Sequence, residues 1–195
     1  MQLKIGVMGN ASPNLPEKIK QRAFDLGCSI ADNDCVTITG GCPGYPYEAA
    51  KGAKSRGGLV IGISPGLSLW EHQHKYQSPI EHHDVLIFTG SGLMGREVVN
   101  IRSSDVVVIV GGKSGTLGEF SIAYDEGKLI GVLTGTGGIT SEISHLVKVI
   151  RKDTGAKVLY EDNPRKLIPR LLRYYHRVHY KHPTCFRDTT IPVQA

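Results

Sequence analysis

Two charged side chains, Arg96 and Glu119, stand on either side of a glycine-bearing turn at residues 111–116. The turn follows an apolar run, Val106–Val110, which predicts a buried strand, and it opens directly into a predicted helix at Thr116. A strand that stops on glycines and continues as a helix leaves backbone N–H groups free, and the helix dipole favours an anion beside them. The pattern therefore predicts a phosphate site in which an arginine recognises charge and a carboxylate supplies acid–base chemistry.

The elements that position this turn are predicted by apolar, β-branched runs that alternate with helical stretches, as in a parallel sheet. The predicted strands are Leu3–Gly9, Val36–Thr39, Leu59–Ile63, Val85–Thr89, Val106–Val110, Leu129–Leu133 and Lys157–Tyr160. The predicted helices cover residues 14–32, 46–56, 92–103, 116–126, 140–152 and 165–180. We therefore expect one Rossmann-like, doubly wound α/β domain over residues 1–195, with a basic C-terminal helix at 163–182.

The carboxyl ends of the first six predicted strands all run into loops that contain glycine. In an open α/β sheet, ligands bind in the crevice outside these ends, and glycine lets a ligand approach the backbone closely. We expect a nucleotide or another phosphorylated small molecule to bind there. The expected binding residues are those of two early strand ends and of the turn, namely Gly9, Gly40, Gly41, Gly111, Gly112, Lys113, Ser114, Gly115 and Thr116.

Two common nucleotide motifs are excluded. The run Gly112-Lys113-Ser114 suggests a P-loop, but the first glycine of that motif would fall at Val107, inside the predicted strand. The dinucleotide fingerprint also fails, because Gly6 and Gly9 are not followed by a suitably placed third glycine. The site is therefore not that of a standard P-loop ATPase, kinase or dehydrogenase.

The turn sequence GGKSGTLGE at residues 111–119 resembles the PGGxGTxxE motif of the LOG family, the cytokinin-activating phosphoribohydrolases. Upstream, Met94-Gly95-Arg96-Glu97 is similar to the Met-x-x-Arg-Lys helix of that family, although it is one residue shorter and has a glutamate in place of the lysine. Weaker similarity covers the first strand and the loop at residues 40–44, so the resemblance spans roughly the first 160 residues. Within the family, the chain is most similar to a LOG-like subgroup of uncertain activity that is related to molybdenum-cofactor carrier proteins.

The resemblance implies a catalytic pair, Arg96 and Glu119, with Gly112, Gly115 and Thr116 on a 5′-phosphate. The implied reaction is hydrolysis of the N-glycosidic bond of a nucleoside 5′-monophosphate, which releases the base and ribose 5-phosphate. A carboxylate suits this chemistry because it stabilises the positive charge that builds on the ribose and activates water.

Departures from the family motif and simpler explanations keep other interpretations open. Gly111 replaces a proline, Lys113 a glycine and Gly118 the first of two common glutamates. Lys113 either adds charge to the phosphate site or obstructs a turn that needs positive φ. Glu119 also fits a capping box with Thr116. Arg96 also fits a solvated helix residue paired with a neighbour. The alternative function is a non-catalytic carrier or sensor of a phosphorylated ligand, such as molybdenum cofactor.

Composition limits the remaining possibilities. Seven basic and no acidic residues lie between Asn163 and Arg187, so the net charge of +5 leaves the rest of the chain near −2. We expect this helix to pack on the sheet or on a second subunit, and we consider nucleic-acid or membrane contact less favoured. A nucleic-acid module would depend on Arg170, Arg173 and Arg177, and its affinity would fall steeply with salt. The four cysteines lack CxxC pairs, which favours reduced thiols in the cytoplasm.

We expect a homodimer, with no metal site and no cofactor. The histidines at 176, 179 and 182 are interpreted as a polar helix side rather than as metal ligands. The loop at residues 66–84, which holds four more histidines, is interpreted as a lid or an interface.

Overall fold

The computed structural model describes residues 1–12 and 14–181, which form one seven-stranded, all-parallel sheet. The strands are β1 (Lys4–Gly9), β2 (Val36–Thr39), β3 (Val60–Ser64), β4 (Val85–Phe88), β5 (Val106–Val110), β6 (Leu129–Leu133) and β7 (Lys157–Glu161). Their order in the sheet is β4-β3-β2-β1-β5-β6-β7. The predicted fold class is confirmed.

In the described part of the chain, five α-helices connect strands and a sixth follows β7. They are α1 (Glu17–Asp32), α2 (Tyr45–Ser55), α3 (Gly92–Arg102), α4 (Ser114–Asp125), α5 (Ile143–Ile150) and α6 (Pro164–Arg177). A π-helical turn lies at Glu71–Lys75, and 3₁₀ turns lie at Gly138–Ser141 and His179–Lys181. No helix in residues 1–12 and 14–181 is long and apolar enough to cross a membrane.

The core has two layers because the central strands are apolar on both faces. On β5, Val106, Val108 and Val110 pack in the layer covered by α1 and α6. Val107 and Ile109 point to the opposite face, which α4 and α5 cover. All five side chains of β5 are fully buried, as a continuous apolar run predicts for the middle of a parallel sheet.

The direction of winding reverses between β1 and β5. The strands β2, β3 and β4 lie on one side of β1, while β6 and β7 lie beyond β5. The register pairs Ile5 with Val106 and Gly9 with Val110, so both strands end side by side at the same edge. Such a topological switch point opens a crevice at the carboxyl ends of the strands, where α/β proteins bind ligands.

Several predicted boundaries are wrong. Helix α4 begins at Ser114 rather than at Thr116, and the helix expected at 140–152 is divided into a 3₁₀ turn and α5. Helix α6 begins at Pro164 and contains Pro169, and the Asn163 side chain caps it by accepting a hydrogen bond from the Arg165 amide at 2.9 Å. The last residue of the basic helix predicted at 163–182 lies outside the described residues, as does Arg187.

Helix α6 packs its apolar stripe on the sheet. Leu167, Ile168 and Leu171 are fully buried in the α1 layer, as expected for a helix that covers the sheet. The guanidinium of Arg170 donates a hydrogen bond to the Tyr160 carbonyl at 3.0 Å, which fixes the helix against β7. The basic residues of α6 therefore border a packed face rather than a free apolar one.

Candidate functional site

A cleft of about 360 Å³ lies at the switch point, beyond the ends of β1, β2 and β5. Four segments form its walls: the end of β1 with the loop after it, the loop after β2 with the start of α2, one face of α3, and the first turns of α4. The residues that line it are Val7, Gly9, Asn10, Ala11, Ser12, Gly40, Cys42, Pro46, Arg96, Glu97, Lys113, Gly115, Thr116 and Glu119.

The turn between β5 and α4 needs its two leading glycines but tolerates the lysine. Gly111 and Gly112 adopt φ of +58° and +98°, and a Cβ at Gly112 would lie 2.4 Å from the Thr116 Cβ. Lys113 has φ −126° and ψ −147°, which is extended backbone that any residue adopts. Lys113 therefore does not obstruct the turn. Of the two interpretations of this residue, the one in which it adds positive charge at the cleft remains.

The first amides of α4 belong to Ser114, Gly115 and Thr116, three of the residues expected at the phosphate. The first hydrogen bond of α4 runs from the Leu117 amide to the Lys113 carbonyl at 2.9 Å. The amides of Ser114, Gly115 and Thr116 precede it, so they have no acceptor within the helix. They form the positive end of the dipole of a 12-residue helix beside the cleft.

Two of the predicted phosphate-binding amides already have protein partners. The Gly111 amide donates to Thr136 Oγ1 at 2.9 Å, and the Gly41 amide donates to Thr39 Oγ1 at 3.1 Å. Side chains therefore satisfy these two amides, Thr136 from the loop after β6 and Thr39 from the end of β2. Gly41, Gly111, Gly112 and Ser114 are also absent from the cleft lining, whereas Gly9, Gly40, Lys113, Gly115 and Thr116 belong to it.

Arg96 is a buried residue of the cleft wall and not a solvated one. Its exposed fraction is 7%, and its guanidinium lies so close to Gly40 that a Cβ there would be 1.5 Å from Nη1. A glycine at position 40 is therefore required for this arginine to enter the cleft. The Nε atom is buried and has no hydrogen-bond partner in the described structure, so it is a donor available to a ligand.

The guanidinium of Arg96 also faces Cys42, which the sequence did not single out. Burial raises the pKa of the Cys42 thiol, and the positive charge of Arg96 opposes that rise. The loop after β2 therefore contributes the space that the arginine occupies and a thiol that lines the same cleft.

Glu119 lies on the same wall, 7% exposed, in the second turn of α4. The capping-box explanation fails because Lys113 occupies the N-cap position without a side-chain cap and Thr116 is already the third helical residue. The pKa of Glu119 is raised from 4.5 to about 8. Burial is the largest cause, the Arg96 charge lowers the pKa, and Glu97 raises it. At neutral pH the side chain is therefore mostly the neutral acid, able to donate a proton.

Glu97 is a cleft residue that sequence reasoning missed as a site residue. It is 6% exposed, and its Oε2 atom is buried with no hydrogen-bond partner among the described residues. Burial raises its pKa as well, and Arg96 opposes the rise. The available signal was the departure from the family motif, which places a glutamate where a lysine is usual.

The described loop between β3 and β4 contributes no residue to the cleft lining. His72 is fully buried, with Nδ1 2.9 Å from Ser64 Oγ and Nε2 3.0 Å from the Pro79 carbonyl. The His83 ring stacks on Tyr47 at a centroid distance of 6.2 Å. No group of three or more His, Cys, Asp or Glu side chains in the described part of the chain is arranged to hold a metal.

A Rossmann-like sheet with this cleft at its switch point, a glycine turn and a buried arginine–glutamate pair defines a LOG-like protein. The chain belongs to the SLOG cluster4 family, whose model matches residues 2–168. A protein from Archaeoglobus fulgidus with no assigned function is 37% identical over 131 residues, which are 67% of this chain and 80% of that one.

Solved structures are similar over nearly the whole described chain. TM1055 aligns with a TM-score of 0.75 and 25% identity, covering 88% of this chain and 99% of that one. The molybdenum cofactor binding protein of Rippkaea orientalis gives 0.74 and 27%, covering 90% and 98%. The molybdenum cofactor carrier protein of Chlamydomonas reinhardtii gives 0.68 and 29%, covering 88% and 99%.

Proposed function

We propose that the cleft binds a nucleotide or a similar phosphorylated ligand, with its phosphate on the amides of Ser114, Gly115 and Thr116. The observation that carries this proposal is the buried Arg96 guanidinium, whose Nε lacks a partner in the described structure, in the same cleft as the helix N-terminus. A buried donor without an acceptor is costly unless a ligand supplies one. Lys113 adds a positive charge at the entrance.

The activity that this arrangement supports best is hydrolysis of an N-glycosidic bond in a nucleoside 5′-monophosphate. Glu119 enters the reaction as the neutral acid and protonates the departing base, while the bond from the sugar carbon to the base nitrogen breaks. The carboxylate formed in this way stabilises the ribosyl cation and then takes a proton from the attacking water. Arg96 orients the sugar phosphate, and the products are the free base and ribose 5-phosphate.

The test is the release of free base from a panel of nucleoside monophosphates, followed by chromatography. We expect turnover that falls by about 100-fold or more in Glu119→Gln, because the variant cannot transfer a proton. Arg96→Gln should lose both binding and turnover. Arg102→Gln, on the same helix with its side chain 63% exposed, is the matched control and should behave as wild type. Absence of turnover on every monophosphate would remove the hydrolase.

The second candidate is a carrier of a phosphorylated ligand such as molybdenum cofactor. It is favoured by the two solved relatives that are named as binding or carrying this cofactor. The replacements at Gly111, Lys113 and Gly118 support it as well, because they depart from the motif of the catalytic family. Mass spectrometry of the purified protein separates the candidates, since a carrier retains its cargo through purification whereas a hydrolase releases its products.

We also propose a homodimer that joins through the β4 edge. Among the described residues this strand pairs with β3 alone, and three of its four side chains are exposed, including Ile87 and Phe88. Trp70 and Met94, 65% and 72% exposed, are further apolar side chains on segments adjoining the strand. An uncharged edge strand is able to pair antiparallel with its own copy, which buries these side chains. Light scattering should give a dimer for wild type and a monomer for Ile87→Lys. A monomeric wild type would contradict the proposal.

A further inference from the structure

The Glu97 carboxylate has no function in the account above, yet it lines the same cleft as Arg96 and Glu119. It is more than nine-tenths buried, and its Oε2 has no hydrogen-bond partner in residues 1–12 and 14–181. Burying a carboxylate oxygen without a donor is unfavourable, so the site is completed by a group that donates. Arg96 Nε, by contrast, is a buried donor without an acceptor. A complementary ligand therefore carries acceptors and donors close together.

The position of Glu97 indicates which part of a bound ligand contacts its carboxylate. A Cβ at Gly115 would lie 3.5 Å from Oε1 of Glu97, and a Cβ at Gly118 would lie 3.2 Å from Oε2. The carboxylate therefore lies against the first turns of α4, next to the amides assigned to the phosphate. In a nucleotide, the sugar follows the phosphate directly and the base comes after it. The sugar hydroxyls are thus the donors nearest to this carboxylate.

The charge of Glu97 also favours the sugar hydroxyls as its hydrogen-bond donors. The family motif has a lysine at position 97 and a glutamate at position 118, where this chain has Glu97 and Gly118. The structure brings these two departures into contact, since the glycine leaves the space that the Glu97 side chain enters. A carboxylate repels a phosphate, so Glu97 does not serve the phosphate itself. It is suited to accept from neutral hydroxyl donors, and such charge-assisted hydrogen bonds are among the stronger ones.

We propose that Glu97 accepts hydrogen bonds from the vicinal hydroxyls of a ribosyl phosphate in the cleft and so selects ribose over 2-deoxyribose. This inference rests on the proposed function, because it takes the phosphate to lie on α4. Glu97 is a specificity residue in this role, whether or not the bound ribosyl phosphate is hydrolysed.

The test needs no base and no turnover. Calorimetry compares ribose 5-phosphate, 2-deoxyribose 5-phosphate and inorganic phosphate on the wild type, Glu97→Gln and Glu97→Met. We expect the wild type to bind the ribose compound at least about 10-fold more tightly than the deoxy compound, because one charge-assisted hydrogen bond is lost. In Glu97→Met the two compounds should bind within about 3-fold of one another, with Glu97→Gln in between.

Affinity for inorganic phosphate should be unchanged or higher in both variants, since they remove a negative charge beside it. Glu142→Gln, which alters an exposed carboxyl outside the cleft lining, is the control and should keep the full preference.

The possible failures are distinguishable. Equal binding of the two sugar phosphates to the wild type overturns the role of Glu97 but leaves the phosphate site standing. If none of the three ligands binds, including inorganic phosphate, the proposed function fails as well as this inference.

Discussion

Replacement of Glu119 by glutamine should make the protein more stable, by an amount that grows with pH. In the unfolded chain the Glu119 carboxyl has its ordinary pKa of 4.5, whereas burial raises the pKa to about 8 in the folded protein. Between these values the unfolded state loses its proton first. The free energy of unfolding therefore decreases as pH rises, by about 1.4 kcal/mol per pH unit, and the loss is complete above the folded pKa.

The expected size follows from the same two pKa values. A rise from 4.5 to about 8 corresponds to about 5 kcal/mol of stability lost at alkaline pH, relative to a side chain that does not ionise. Glutamine has the same shape and no charge. The free energy of unfolding of Glu119→Gln should thus exceed that of wild type by about 1 kcal/mol at pH 5 and by about 3 kcal/mol at pH 7.

Urea unfolding followed by circular dichroism, from pH 5 to pH 9 at constant ionic strength, measures this difference. Glu142→Gln is the control, because it removes an exposed carboxyl outside the cleft lining. Glu97→Gln should lower the pKa of Glu119 in the folded protein, because Glu97 raises it. The pH range over which the free energy of unfolding decreases should therefore end at a lower pH in this variant than in the wild type. A difference between Glu119→Gln and wild type that stays constant over this range would refute the assignment of a buried neutral acid.

Three further predictions concern the turn and the helix that follows the sheet. Gly112→Ala should lower the free energy of unfolding, measured by urea unfolding, by about 1–3 kcal/mol, because its φ is +98° and the new Cβ would meet Thr116. Gly57 has a similar φ of +71° but no neighbouring atoms, so Gly57→Ala is the control. It should show a smaller loss of stability, which comes from the backbone conformation alone. Lys113→Ala should weaken phosphate binding by roughly 10-fold at low salt and reduce its salt dependence in calorimetry, and an unchanged affinity would place the phosphate elsewhere. Asn163→Ala should cost about 1 kcal/mol of stability in thermal melts while leaving ligand affinity unchanged, because it removes only the cap of α6.

The strands and the position of the crevice could be predicted from the sequence because they depend on local composition. The run Val106–Val110 is apolar at every position, which indicates a strand covered on both faces, and the structure buries all of it. The glycines after β1, β2 and β5 indicated where a ligand approaches the backbone. The burial of Arg96 and Glu119 in one cleft agrees with the motif that singled them out.

The rest depends on contacts between residues that are distant in the chain. The Gly111 amide is satisfied by Thr136, which lies 25 residues later in an unrelated loop. The start of α4 shifts by two residues relative to the expected Thr116, so Ser114 and Gly115 belong to the helix and not to the turn before it. Glu97 was noted only as a departure from a motif, and its burial beside α4 follows from helix packing that no local pattern encodes.

A crystal structure of the protein with AMP tests the account most directly. We predict that the phosphate lies within hydrogen-bond distance of the Ser114, Gly115 and Thr116 amides, with the sugar between Arg96 and Glu119. A phosphate bound at another place, or a cleft that stays empty at millimolar AMP while the protein remains folded, would contradict it.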